Sequence, residues 1–162
     1  MESVECRPTE KVEKIPCARV AESKDLRCEE DSTDEREYTE SEIEALAIVI
    51  YQEAGGDACC DDCRMRVADV VLNRVEDERF PDTIEEVLTA PKQYGRLYHT
   101  GLKWAERSKL TEEAEAVARA YETAEAVLNG SHSELYGEEY IWQAEFKQGT
   151  DIVECCGIYF GR

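Results

Sequence analysis

The residue best placed for chemistry in this chain is Glu53, near the end of the run EIEALAIVIYQEAGGD over residues 42–57. It lies three, four and seven residues after Ile50, Val49 and Leu46, so at helical spacing it shares their apolar face. Such a face points to the core or to the wall of a cleft. A carboxylate there is partly desolvated, which disfavours its charged form and raises its pKa. The partial negative charge of a helix C-terminus pushes the same way. An acid kept protonated near neutral pH can protonate a leaving-group oxygen, which is the requirement of glycoside cleavage. The competing reading is a buried glutamate bonded to a backbone amide or to an arginine such as Arg74. Asp57 is the nearest second carboxylate, but it also fits the cap of the following helix.

A second group with chemical potential is the cysteines. Cys59, Cys60 and Cys63 open one predicted helix, and Cys155 and Cys156 precede the last strand. Three readings stay open: a zinc site drawing on both segments, disulfides stapling one segment to the other, or free thiols. The Cys-x2-Cys spacing suits zinc, but a second such pair is missing, so no metal ligand is assigned and no cofactor is expected. Cys6, Cys17 and Cys28 recur at equal spacing, but the residues between them do not match.

Several elements must position these residues. Thr39-Glu40-Ser41-Glu42 is a capping box that starts a helix running to about Ala54, where Gly55-Gly56 stops it by supplying a left-handed conformation. A second helix is expected over roughly 58–76, capped by Asp57, with Met65, Ala68, Val71, Leu72 and Val75 buried. A short third helix follows Pro81, capped by Asp82, and carries Ile84, Val87 and Leu88. Residues 90–110 read as a long loop, and a fourth helix spans about 112–129 with Val117, Tyr121, Ala124 and Leu128 on one face. Alternation over Tyr140–Phe146 signals a strand, Gln148-Gly149-Thr150 a turn, and Ile158-Tyr159-Phe160 a second strand. The expected fold is α+β, dominated by helices, with one small antiparallel hairpin or sheet.

Composition bounds the partners. The chain has 162 residues, 38 acidic and 19 basic, for a net charge of −19. Phosphate binding needs clustered Lys and Arg, so nucleic acid is excluded as a partner, and no polybasic segment offers a membrane anchor. No apolar run is long enough to span a bilayer, and the N-terminus lacks the apolar core of a secretory signal. Synthesis in the cytoplasm with release by lysis or another route is therefore expected. A monomer is expected. Residues 1–38 hold charge, three cysteines and two prolines with no sustained apolar period, and read as an acidic, mostly disordered tail before a domain over 39–162.

EALAIVIYQEAGGD, then RMRVADVVLNRVEDERFPDTIEEVL, then KQYG, resembles the cell-wall hydrolase family typified by the spore-cortex-lytic enzyme SleB. The resemblance covers roughly residues 41–162. It implies a lysozyme-like or lytic-transglycosylase-like domain acting on peptidoglycan glycan strands at the bacterial wall or spore cortex, in a bacterial or phage setting. The bond implied is the β-1,4 link between N-acetylmuramic acid and N-acetylglucosamine. The family's catalytic glutamate, in an E-A-x-G motif, falls on Glu53. A lone acid suits lytic transglycosylation, and hydrolysis differs only in the final nucleophile. Gln93 and Tyr94 take the family's Q-F position on the loop expected to form the other wall, where Tyr98, His99 and Trp104 also lie. Tyr140, Trp142 and Gln143 fall on an aromatic-rich strand near the cleft, and regular alternation lets at most one of Trp142 and Gln143 line it. Asn73 and Arg74 match an N-R pair, for which a structural role is expected.

Two departures stand out. Ile158 occupies a position where the spore enzymes carry histidine, and Gln52 stands where glycine usually precedes the glutamate. They keep two other readings open: a wall-binding module without turnover, and a structural component of a spore or phage particle.

Overall fold

The computed structural model describes residues 37–162, so the tail reading for residues 1–38 falls almost wholly outside the described residues. The first helix, α1, spans Glu40–Ala54 and opens with the expected capping box: the Thr39 side chain accepts from the Glu42 amide, and the Glu42 carboxylate accepts from Thr39 N–H at 2.9 Å. From Ala45 to Tyr51 every residue of α1 is buried. A helix apolar all round must be covered all round, and α1 packs against α2 (Asp61–Glu76), α3 (Ile84–Thr89) and α5 (Ala114–Leu128). The buried face of α5 is Ala116, Ala120, Thr123, Ala124 and Val127. That face lies beside the expected one, because small side chains are what an intimate helix–helix contact accepts.

Helix α2 departs from expectation at its start. It begins at Asp61 with Cys60 as N-cap and no side-chain cap. Asp57 does not cap it; its carboxylate pairs instead with Arg119 of α5 at 2.7 Å. At α3 the cap is Thr83 rather than Asp82, with the Thr83 hydroxyl accepting from the Glu86 amide at 3.3 Å. The expected loop over 90–110 contains a further helix, α4 (Gly95–Thr100), and a 3-10 turn at Glu106–Lys109. Leu97 draws α4 onto the core: it is fully buried, but six residues are too few to show a period.

The sheet has three antiparallel strands in the order β1-β3-β2, where β1 is Trp142–Ala144, β2 is Val153–Cys155 and β3 is Ile158–Gly161. Strands β2 and β3 form a hairpin whose two turn residues, Cys156 and Gly157, both have positive φ (53° and 84°). That is the turn geometry that matches strand twist in two-residue hairpins. Phe160, fully buried, anchors β3 to the core. The architecture is α+β, with five α-helices and one small antiparallel sheet among the described residues. No described helix is long and apolar enough to cross a membrane.

Candidate active site

The last turn of α1 carries Glu53. Gly55 ends the helix, donating its N–H to Tyr51 O at 3.1 Å. Its φ is −72°, so the left-handed conformation expected here is not used. Glycine is needed for another reason: a Cβ at this position would lie 2.3 Å from the Tyr51 carbonyl oxygen.

Helix α2 carries Asn73 and Arg74. Asn73, one residue before Arg74, bonds three backbone groups: its Nδ2 donates to Leu135 O (3.2 Å) and Tyr140 O (3.0 Å), and its Oδ1 accepts from Gly137 N (3.0 Å). Arg74 is 2% exposed and donates from Nε to Ile141 O at 2.7 Å. Its guanidinium lies 5.5 Å from the Phe80 ring centre and 5.1 Å from that of Tyr94. The N-R pair thus ties the segment entering β1 to the helix, the structural role expected of it. A buried Asp69 does the same one helical turn earlier, accepting from Ser133 N (2.7 Å) and Ser133 Oγ (2.5 Å), with His132 Nδ1 at 2.9 Å.

Solvent reaches Glu53, but the protein crowds it. Its pKa is raised, first by desolvation and then by the nearby charge of Glu145, while the Arg74 guanidinium pulls it down. Among the described residues the structure gives Glu53 no hydrogen bond or ion pair, so it is not the tied-down glutamate of the competing reading. Tyr94 feels the same surroundings: burial pushes its hydroxyl up to about 12, Arg74 opposes this, and Glu53 adds to it. Glu53, Arg74, Tyr94 and Glu145 therefore lie within electrostatic reach of one another. Glu145 is the member that sequence reasoning missed. It follows β1 directly, with the strand parity of Gln143, and only the fold places it near a residue ninety positions earlier.

Several polar atoms here are buried without a partner: Tyr94 Oη, Arg74 Nη1, Gln52 Nε2 and both amide atoms of Gln143. Buried polar groups are nearly always satisfied, so these five atoms are exceptions; each is closed off from solvent. Gln93 is half-buried in the turn before α4. Tyr98 is 47% exposed on α4, edge-on to His99. The remaining aromatics are occupied with packing. Tyr140 is buried, donates to Asp151 O at 2.8 Å and lies under the Arg162 guanidinium. Trp142 meets Phe80 edge to face. Trp104 packs between Tyr51 and Tyr121 and donates to Glu44 at 2.9 Å. Between α4 and α5, Arg107 pairs with Glu113 and Lys109 with Glu106.

A carboxyl with a raised pKa and no partner of its own, within reach of a second carboxylate and a buried guanidinium, is a site suited to acid–base chemistry on a polar substrate. The chain belongs to the Cell Wall Hydrolase family, whose profile matches residues 61–151, more than half its length. Membership makes it a hydrolase of the cell wall, with peptidoglycan as substrate. The matched segment holds Asn73, Arg74, Gln93, Tyr94, Gln143 and Glu145; Glu53 precedes it. No curated protein and no solved structure matches the chain.

Proposed function

We propose that residues 39–162 form a catalytic domain that cleaves glycan strands of bacterial peptidoglycan at the β-1,4 bond between N-acetylmuramic acid and N-acetylglucosamine. Glu53 is the acid. The observation that carries this reading is its carboxyl at the end of α1, without a partner and with a pKa raised by desolvation and by Glu145. In its protonated form it transfers its proton to the glycosidic oxygen as the bond breaks. The substrate's acetamido group stabilises the oxocarbenium-like centre. Glu53, now a carboxylate, then takes the proton from the muramoyl C6 hydroxyl as that oxygen closes a 1,6-anhydro ring. Gln93 bonds the sugar's hydroxyl and acetamido groups, while Gln143 and Tyr94, whose polar atoms are buried, shape the site from beneath. Tyr98 offers an exposed ring for a pyranose face, and Tyr140 and Trp142 act from behind by holding the strand. The domain works as a monomer at the wall or spore cortex.

Glu145 supports a second reading. Hydrolysis uses two carboxylates across the sugar, and Glu145 is the one whose charge Glu53 feels. It would direct a water at the anomeric carbon. Asp57 is less suited, being held by Arg119.

Digestion of purified peptidoglycan by the native protein and by Glu53→Gln, with mass spectrometry of the soluble muropeptides, tests both readings. Anhydro-muramoyl products from the native protein alone support lytic transglycosylation. Reducing muramoyl ends support hydrolysis with Glu145. Equal release by the variant would remove Glu53 from the chemistry. No release by either protein, with retention on insoluble wall, would replace the enzyme by a binding module.

A further inference from the structure

The N-terminus of α2 and the β2–β3 turn bring together five cysteines: Cys59, Cys60, Cys63, Cys155 and Cys156. Three of their sulfurs form a near-regular triangle. Cys60 Sγ lies 3.6 Å from Cys155 Sγ and 3.5 Å from Cys156 Sγ, and Cys155 Sγ lies 4.0 Å from Cys156 Sγ. Thiolates held about 2.3 Å from a tetrahedral zinc ion are separated from one another by about 3.8 Å. The triangle therefore already has the size of one face of a zinc–thiolate tetrahedron. Cys63 stands one helical turn after Cys60, completing a Cys-x2-Cys pair. It is fully buried, and its Sγ lies 3.4 Å from Cys155 O, against the same turn.

We propose that Cys60, Cys63, Cys155 and Cys156 bind one zinc ion in a closed four-thiolate site. A disulfide joins two sulfurs and leaves the third; here Cys60 Sγ is as close to Cys155 Sγ (3.6 Å) as to Cys156 Sγ (3.5 Å), and Cys155 and Cys156 are adjacent in the chain, where a bridge between them is strained. A metal ion uses all three at once. The surroundings suit the charge of such a site. The Cys60 backbone N–H points at Cys156 Sγ (3.3 Å), and an amide hydrogen bond to a ligand sulfur is the usual second support of a thiolate centre. The start of the sixteen-residue α2 adds its positive end. Soft sulfur donors in a tetrahedral set select zinc over the hard divalent ions. Binding forms four Zn–S bonds and releases the four thiol protons, with no change of oxidation state. Cys59 remains outside the set, and family membership does not account for the site, since Cys60, Cys155 and Cys156 lie outside the matched segment.

The zinc would clamp α2 to the hairpin that holds β3, and β3 pairs with β1, the strand leading to Gln143 and Glu145. The site is structural, joining the sheet to the helix that carries Arg74.

The test uses the full chain with Cys6, Cys17 and Cys28 replaced by serine, expressed with zinc available and purified under reducing conditions. Native mass spectrometry is expected to show one zinc per chain. Replacement by Co2+ is expected to give sulfur-to-cobalt charge-transfer absorption and the intense visible bands of a tetrahedral site. Cys59 alone is expected to react with a thiol reagent until a chelator is added, after which the other four react. Cys59→Ser is expected to keep the cobalt spectrum, and Cys156→Ser to lose its four-sulfur character. A metal-free protein whose mass is lowered by disulfide formation would overturn the proposal. So would five freely reactive thiols with no cobalt spectrum, or a Cys59→Ser variant that loses the metal. These readings are taken on the folded parent protein first, so a variant that fails to fold does not decide the matter.

Discussion

Replacing Arg74 tests the electrostatics of the site and its mechanical support separately. Arg74→Met removes a charged donor from Ile141 O, a bond worth about 1.5–3 kcal/mol. It also removes two guanidinium–ring contacts, each worth about 0.5–1 kcal/mol. Against this, methionine fills similar volume and needs no desolvation of a buried charge, an effect that can return roughly 1–4 kcal/mol. The net expectation is a loss of about 1 kcal/mol. In a chain of this size that lowers Tm by about 2–4 °C. Arg74→Lys loses the same planar contacts and the Nε bond but keeps the charge, so it should destabilise at least as much. The two variants part on pH. Glu53 donates its proton in the first step, so activity falls as pH rises through its pKa. Arg74 holds that pKa down; removing its charge lets the protonated form persist to higher pH. Turbidity loss of a peptidoglycan suspension across pH should show the alkaline limb moved upward in the Met variant and nearly unmoved in the Lys variant. An unmoved limb in Met, or an equal shift in both, would refute the assignment of Arg74 as the charge that sets the acid.

Glu145→Gln should act with the opposite sign: it removes a charge that raises the Glu53 pKa, so the alkaline limb should move to lower pH in the same assay. Asp69→Ala strips three bonds from a fully buried carboxylate and should cost about 3–5 kcal/mol in urea unfolding with an unchanged slope; a loss below about 1 kcal/mol would mean that the loop over 131–141 is not held by this residue. Gly55→Ala puts a Cβ 2.3 Å from Tyr51 O, so the last turn of α1 must open and Glu53 must move. Activity should fall by roughly 10²-fold, the effect of misplacing a reacting group by about an ångström, while circular dichroism stays near native. Full activity would show that the position of Glu53 is not set by this turn.

The elements that were legible in the sequence are those whose signals are local. The capping box at Thr39, the apolar run to Tyr51, and the amphipathic pattern of α5 each concern residues within a few turns of one another, so α1 and α5 fall close to expectation. Errors arose where two local signals competed. Asp57 and Asp82 are good capping residues by type, but the N-caps of α2 and α3 are Cys60 and Thr83, which set Cys63 and Ile84 in buried positions. Helix α4 was invisible because its order comes from Leu97 and Tyr94 meeting a core built by other segments.

By itself the sequence determined that Glu53 stands on the apolar face at the end of a helix, that an N-R pair and an aromatic-rich strand follow, and that an acidic, helix-led α+β domain results. These follow from residue type and spacing, which act through the nearest few residues of the backbone. Only the tertiary structure decided what surrounds Glu53. Glu145 and Arg74 reach it across long stretches of chain, and the same folding brings Cys60 and Cys63 to Cys155 and Cys156. Desolvation and charge depend on distance in space, and no pattern along the chain specifies which distant residue ends up beside which.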